Sequence, residues 1–104
     1  MSYSILIAPA ARDVLSGLLN RSMRESLQQR IGALAEDPEN QGLALAGELK
    51  GCRALRVEGG WCRIVYRVIG DQVQVLLIVM GLTSQTQDRD WRALARRLFR
   101  LRLL

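Results

Sequence analysis

The chain of 104 residues contains no histidine. That absence removes imidazole bases, histidine-centred triads and histidine metal sites from consideration. Its two cysteines, Cys52 and Cys62, are too few for a disulfide framework or a thiolate zinc site, and no metal or other cofactor is expected. Lysine occurs once, at Lys50, so almost all of the positive charge is arginine. No apolar run reaches the ~18 residues that a membrane span needs. The opening "MSYSILIAPAARDVL" has neither the basic flank nor the apolar length of a secretory leader. These absences predict a cytoplasmic protein that does not engage a membrane.

What is present suits one compact domain. Hydrophobic residues make up 49% of the chain, too many for a disordered protein and enough for a single core. The net charge of +5 is unevenly placed. Residues 1–88 hold nine basic and nine acidic groups, whereas "RDWRALARRLFRLRLL" at 89–104 holds six arginines against one aspartate. A basic tail suits nucleic acid, an acidic protein or an anionic surface, and does not by itself choose among them.

Tyr3–Ala8 reads as a strand and Pro9 as the first turn of a helix running to about Asn20, with Val14, Leu15, Leu18 and Leu19 at helical spacing. Ser22 and Glu25 form a capping-box pattern for a second helix, whose buried stripe is Met23, Leu27, Ile31 and Leu34. Asp37-Pro38 stops it. "PENQGLALAGELKG" reads as a long loop. Cys52–Glu58, Trp61–Val68 and Gln72–Met80 read as three strands joined at Gly59-Gly60 and Gly70-Asp71. After a polar stretch from Leu82 to Asp88, the tail is helix-competent from about Asp90. Trp91, Leu94, Leu98 and Leu101 share one stripe there, and Arg89, Arg92, Arg96 and Arg100 another. The order predicts an α+β domain over residues 1–104.

The hairpin "RVEGGWCRIVYRV" concentrates the chemistry. A two-residue turn at Gly59-Gly60 would place Arg56 opposite Arg63 and Glu58 opposite Trp61. Strand alternation then puts Leu55, Val57, Cys62, Ile64 and Tyr66 together, with Arg53, on a face that should pack against the helices. Arg56, Glu58, Trp61, Arg63 and Arg67 fall on the other face. Like charges directly opposite each other oppose folding by roughly 0.2–1 kcal/mol, so the two arginines need compensation, from Glu58 or from a bound phosphate. Both readings are open at this point.

"LKGCRALRVEGGWCRIVYRVIGDQVQVLLIVMG" resembles the meander of RelE/ParE-type toxins from bacterial toxin–antitoxin pairs. The pattern is a leucine-x-glycine lead-in at Leu49–Gly51, a basic strand at Arg53–Val57, an arginine-x-valine-tyrosine strand at Arg63–Tyr66, and an apolar strand ending at Gly81. The preceding strand, helical hairpin and Asp37-Pro38 also fit. The resemblance implies a RelE/ParE-like fold: an N-terminal strand and helical hairpin packed on an antiparallel sheet completed by the meander, with a C-terminal helix. It further implies a cognate antitoxin partner and, for the ribonuclease branch, metal-independent cleavage of mRNA on the ribosome. The ParE branch implies DNA gyrase as the target instead, and a catalytically degenerate relative would be a binding module.

By that resemblance Arg63 would bind the scissile phosphate, and Arg56 occupies one basic position of the preceding strand. Ala54 occupies another such position without a charge. Thr83 stands where RelE-like ribonucleases carry an arginine, and no tyrosine follows it. Glu58 is a candidate general base for a ribose 2′-hydroxyl, or a counter-ion for the arginines. Trp61 could stack on a base at the hairpin tip. Lys50, Arg53, Arg67 and Arg89 complete the set of candidate RNA contacts. The basic tail helix could contact ribosomal RNA, receive an antitoxin helix or touch a membrane, and its apolar stripe argues for packing on protein.

Overall fold

The computed structural model describes residues 2–82 and 88–100, apart from the side chains of residues 88–90, 94, 98 and 99. Five strands form one sheet in the order β1-β5-β4-β3-β2. They are β1 (Ser4–Ile7), β2 (Leu43–Ala44), β3 (Cys52–Val57), β4 (Cys62–Ile69) and β5 (Gln72–Val79). Helices α1 (Pro9–Gly17) and α2 (Arg21–Ala33) follow β1, and α3 (Asp88–Arg100) follows β5. The fold is α+β, and β3–β5 form the expected antiparallel meander. One detail differs from the predicted antiparallel sheet. Strand β1 joins β5 in parallel, Ser4 beside Gln72 through Ile7 beside Val75, so the sheet is mixed. Among the described residues no helix is long and apolar enough to cross a membrane.

The helical hairpin forms where the pattern placed it, with different caps. Pro9 occupies the first turn of α1, which ends at Gly17 rather than near Asn20. Asn20 is instead the N-cap of α2, its side-chain oxygen accepting from the Met23 backbone N–H at 3.0 Å. The Ser22/Glu25 capping box therefore does not form, because the helix starts two residues earlier and Glu25 pairs with Arg21 across one turn. The expected loop also carries structure: Leu43–Ala44 adds a short edge strand against Arg53 and Ala54.

Two cores flank the sheet. On one face Ala11, Leu15, Leu27 and Ile31 from the helices meet Leu55, Val57, Cys62, Ile64, Tyr66, Val73, Val75 and Ile78. That is the apolar side of the hairpin that strand alternation predicts. On the other face Cys52, Ala54, Val65, Leu76 and Leu77 meet Trp91 and Ala95 of α3. A bulge in β5 serves both faces: the register with β4 steps from Val65–Leu77 to Tyr66–Val75. The extra residue lets Leu76 and Leu77, adjacent in sequence, both feed the α3 side. Trp91 thus bears out packing of the tail on the domain. The side chains of Leu94 and Leu98, and Leu101 altogether, lie outside the described residues.

Candidate active site

The hairpin register is the one predicted, Arg56 beside Arg63 and Val57 beside Cys62. The turn is not. It has four residues, Glu58 to Trp61, closed by the Trp61 N–H donating to the Glu58 carbonyl at 3.1 Å. Glu58, Gly59 and Gly60 have φ of 53°, 63° and 98°, so the chain leaves the extended conformation at Glu58 and the expected Glu58–Trp61 ladder pair is lost. The Glu58 carboxylate accepts a hydrogen bond from the Ser26 hydroxyl of α2. The described acceptors of the arginines are turn carbonyls instead. Arg63 Nη1 donates to Gly60 O at 2.8 Å and to Cys62 O at 3.2 Å, and Arg56 Nη2 makes a long contact of 3.5 Å with Gly59 O. Gly60 is favoured here by its φ of 98°, and a Cβ there would also press on the Arg56 guanidinium, 2.6 Å from Nη2.

Arg56 and Arg63 line a cavity of about 350 Å³ between the sheet edge and α3, together with Gly42, Leu43, Trp91 and Arg92. Arg92 was legible in the sequence only as one member of a basic stripe. Its guanidinium carbon stands 5.3 Å from the centroid of the Trp91 ring, a cation–π stack that orients it. Every ionisable side chain among the described residues lining this cavity is an arginine. Such a site can attract and hold anionic oxygens. Glu58 lines a separate cavity of about 390 Å³ with Ser26, Arg30 and Arg56, on the other side of the turn.

The remaining candidates do not converge here. Arg53 sits one position off the arginine face, and its guanidinium binds the backbone carbonyls of Gln41 and Gly42 at 2.8 and 3.1 Å. Arg67 pairs with Gln74 across β4–β5 at 2.7 Å, near the opposite end of the strand from Arg63. Lys50 is exposed in the connection before β3, also away from the turn. Trp61 is 39% exposed at the hairpin tip, and its carbonyl accepts from the Leu82 N–H at 2.9 Å. That bond brings the chain after β5 back to the turn. Thr83 and the side chain of Arg89 lie outside the described residues.

Two other chemical groups are structural. The Tyr66 hydroxyl is fully buried among the Pro38 and Gln41 carbonyls, at 2.8 and 2.6 Å, and burial raises its pKa. Burial pushes the Cys62 thiol up to about 11, far from the thiolate a nucleophile needs.

No protein-family model matches the chain, and no curated protein matches its sequence. Solved structures do match its fold. The RelBE2 toxin–antitoxin complex of Mycobacterium tuberculosis superposes with a TM-score of 0.65 at 26% identity, over 77% of this chain and 92% of that one. The isolated RelE toxin of E. coli gives 0.67 at 20% identity, over 93% and 99%. The chromosomal ParDE system of P. aeruginosa gives 0.61 at 18%, over 78% and 98%. The chain has the fold of the RelE and ParE toxins.

In this RelE/ParE-like fold the meander that carried the sequence resemblance is also the part that carries the arginine cavity. The segment between α2 and β2 is tied to it: the buried Tyr66 hydroxyl and Arg53 both hold the Gln41 carbonyl. Gly42 follows, with φ 65° and no room for a side chain, because a Cβ would meet the Ala54 carbonyl at 2.7 Å. This tie sets the rim of the cavity, where Gly42 and Leu43 stand. No sequence signal marked that rim, because its glycine is required by a contact between distant segments.

Proposed function

We propose that this chain is the toxin of a toxin–antitoxin pair and cleaves messenger RNA on the ribosome. The observation that carries this reading is the cross-strand pair Arg56–Arg63 opening, with Arg92, into one cavity. Three arginines lining a single cavity suit phosphodiester chemistry, in which negative charge grows on the phosphate oxygens during attack. In this reading the ribose 2′-oxygen attacks the adjacent phosphorus as its proton passes to water. The bond to the 5′-oxygen breaks, that oxygen takes a proton from water, and a 2′,3′-cyclic phosphate remains. Arg63 holds the scissile phosphate and Arg56 the developing charge. Glu58 serves the turn through Ser26 and is not assigned proton transfer.

A cognate antitoxin is the expected protein partner, consistent with the similarity to toxin–antitoxin complexes. The ParE reading, inhibition of DNA gyrase, is supported by the similarity to a ParDE system and by Thr83 in place of an arginine. A translation extract given purified protein separates the two. Cleaved reporter mRNA with gyrase supercoiling unaffected is the expected result. Intact mRNA with supercoiling arrested would overturn the ribonuclease reading in favour of ParE, and no effect on either would leave a binding module.

A further inference from the structure

Glu58 sits where backbone rules favour a glycine. The turn passes through three left-handed residues, with φ of 53°, 63° and 98°, and only the last two are glycine. That conformation is disfavoured for a residue with a Cβ, whereas glycine adopts it freely. A strained residue held in place points to a task for its side chain. Glu58 is exposed, so the task is not burial. Its carboxylate instead reaches α2 and accepts from the Ser26 hydroxyl. Ser26 is a firm anchor, because the next residue, Leu27, is fully buried in the core together with Ile31 of the same helix.

On its other side the turn holds the arginines. Gly60 O accepts from Arg63 Nη1 at 2.8 Å, and Gly59 O lies 3.5 Å from Arg56 Nη2. The Trp61 N–H closes on the Glu58 carbonyl at 3.1 Å. Glu58 therefore grips the turn through its backbone and α2 through its side chain. We propose that Ser26 is a positioning residue for Arg63, acting through Glu58. The hydroxyl fixes the carboxylate, the carboxylate fixes the left-handed turn, and the Gly60 carbonyl holds the guanidinium at the cavity wall. The inference rests on the ribonuclease reading for what Arg63 does, and on the hairpin geometry for how it is held. Ser26 and Glu58 line a cavity on the far side of the turn and do not line the arginine cavity, so neither touches the reacting atoms. Glu58 acts as a hydrogen-bond acceptor, and a neutral acceptor of the same shape would serve.

The test reads the Arg63 side chain first and cleavage second. The Arg63 Nε–H resonance is assigned with Arg63→Lys, and its relaxation is followed in the whole protein. In Ser26→Ala and in Glu58→Gly that signal should shift and sharpen as the side chain gains motion. Glu58→Gln keeps an acceptor for Ser26 and should restore the wild-type signal. In the translation extract Ser26→Ala and Glu58→Gly should each lower the maximal rate of mRNA cutting about tenfold, without changing the protein concentration that half-saturates it. The double variant should lose no more than either alone, and Glu58→Gln should recover most of the rate. Glu58→Gly should keep a melting temperature near that of wild type, since glycine takes a φ of 53° without strain. An unchanged Arg63 signal in Ser26→Ala overturns the proposal whatever happens to the mRNA. A loss in Glu58→Gln as deep as in Glu58→Gly overturns it too, because the carboxylate would then take part in proton transfer. If the Arg63 signal responds as expected while wild-type protein leaves mRNA intact, the positioning role stands and the ribonuclease reading falls.

Discussion

The two faces of this sheet are built from alternate residues of the same strands and are put to opposite uses. Leu55, Val57, Cys62, Ile64 and Tyr66 point toward α1 and α2 and are sealed there, and even the Tyr66 hydroxyl finds backbone acceptors. Ala54, Arg56, Arg63 and Val65 point the other way, toward α3, where a cavity lined by arginines stays open. The closed face supplies stability. The open face trades some of it for a place where charge can be held, and the pleat lets one hairpin do both.

That contrast can be broken experimentally. On the closed face, Leu27→Ala should have the largest effect, a loss of about 2–5 kcal/mol in urea unfolding, because the side chain is completely buried. Cleavage per folded molecule should stay unchanged. Tyr66→Phe should cost about 1–3 kcal/mol by removing the buried hydroxyl that donates toward the Pro38 and Gln41 carbonyls.

On the open side, Gly60→Ala forces a side chain into a φ of 98° and against the Arg56 guanidinium. Because that guanidinium is the end of a flexible chain, it should move. Cleavage should fall roughly tenfold, more than the modest drop in melting temperature would suggest. A melting change as large as that of Leu27→Ala, with no change in rate, would erase the division between the faces. The smallest effect belongs to the exposed pair Arg100–Glu48, which ties the end of α3 to the segment before β3. The hydrogen bond from Arg100 lowers the Glu48 pKa below its ordinary 4.5. Its contribution is therefore present above about pH 4.5 and declines as pH falls through the lower folded value. Hydrogen exchange in the last turn of α3 should rise slightly in acid, and Glu48→Gln should remove that pH dependence.

Much of this architecture was readable from the chain. The glycines at 59–60 and 70 announce the meander, and the alternation of apolar residues between them sets which face is buried. The Arg56–Arg63 pairing followed from that register even though the turn proved to have four residues. Removing one residue from the end of each strand left the sum of the paired numbers unchanged. The parallel seat of β1 and the bulge at Leu76 were not readable, since both depend on how distant segments meet. The departure of Glu58 toward Ser26 was hidden for the same reason. Arg92 shows the limit most clearly: one arginine among six in the tail, singled out only by where α3 docks.

The most direct test of the central claim compares wild-type protein with Arg63→Ala in a translation extract, mapping cuts in reporter mRNA at matched folded concentration. The account predicts ribosome-dependent cuts by the wild type and a loss of about 10²–10³-fold in the variant, the scale for removing one donor to the reacting phosphate. Equal cutting by both proteins would contradict it, because the open face would then not be where the chemistry happens.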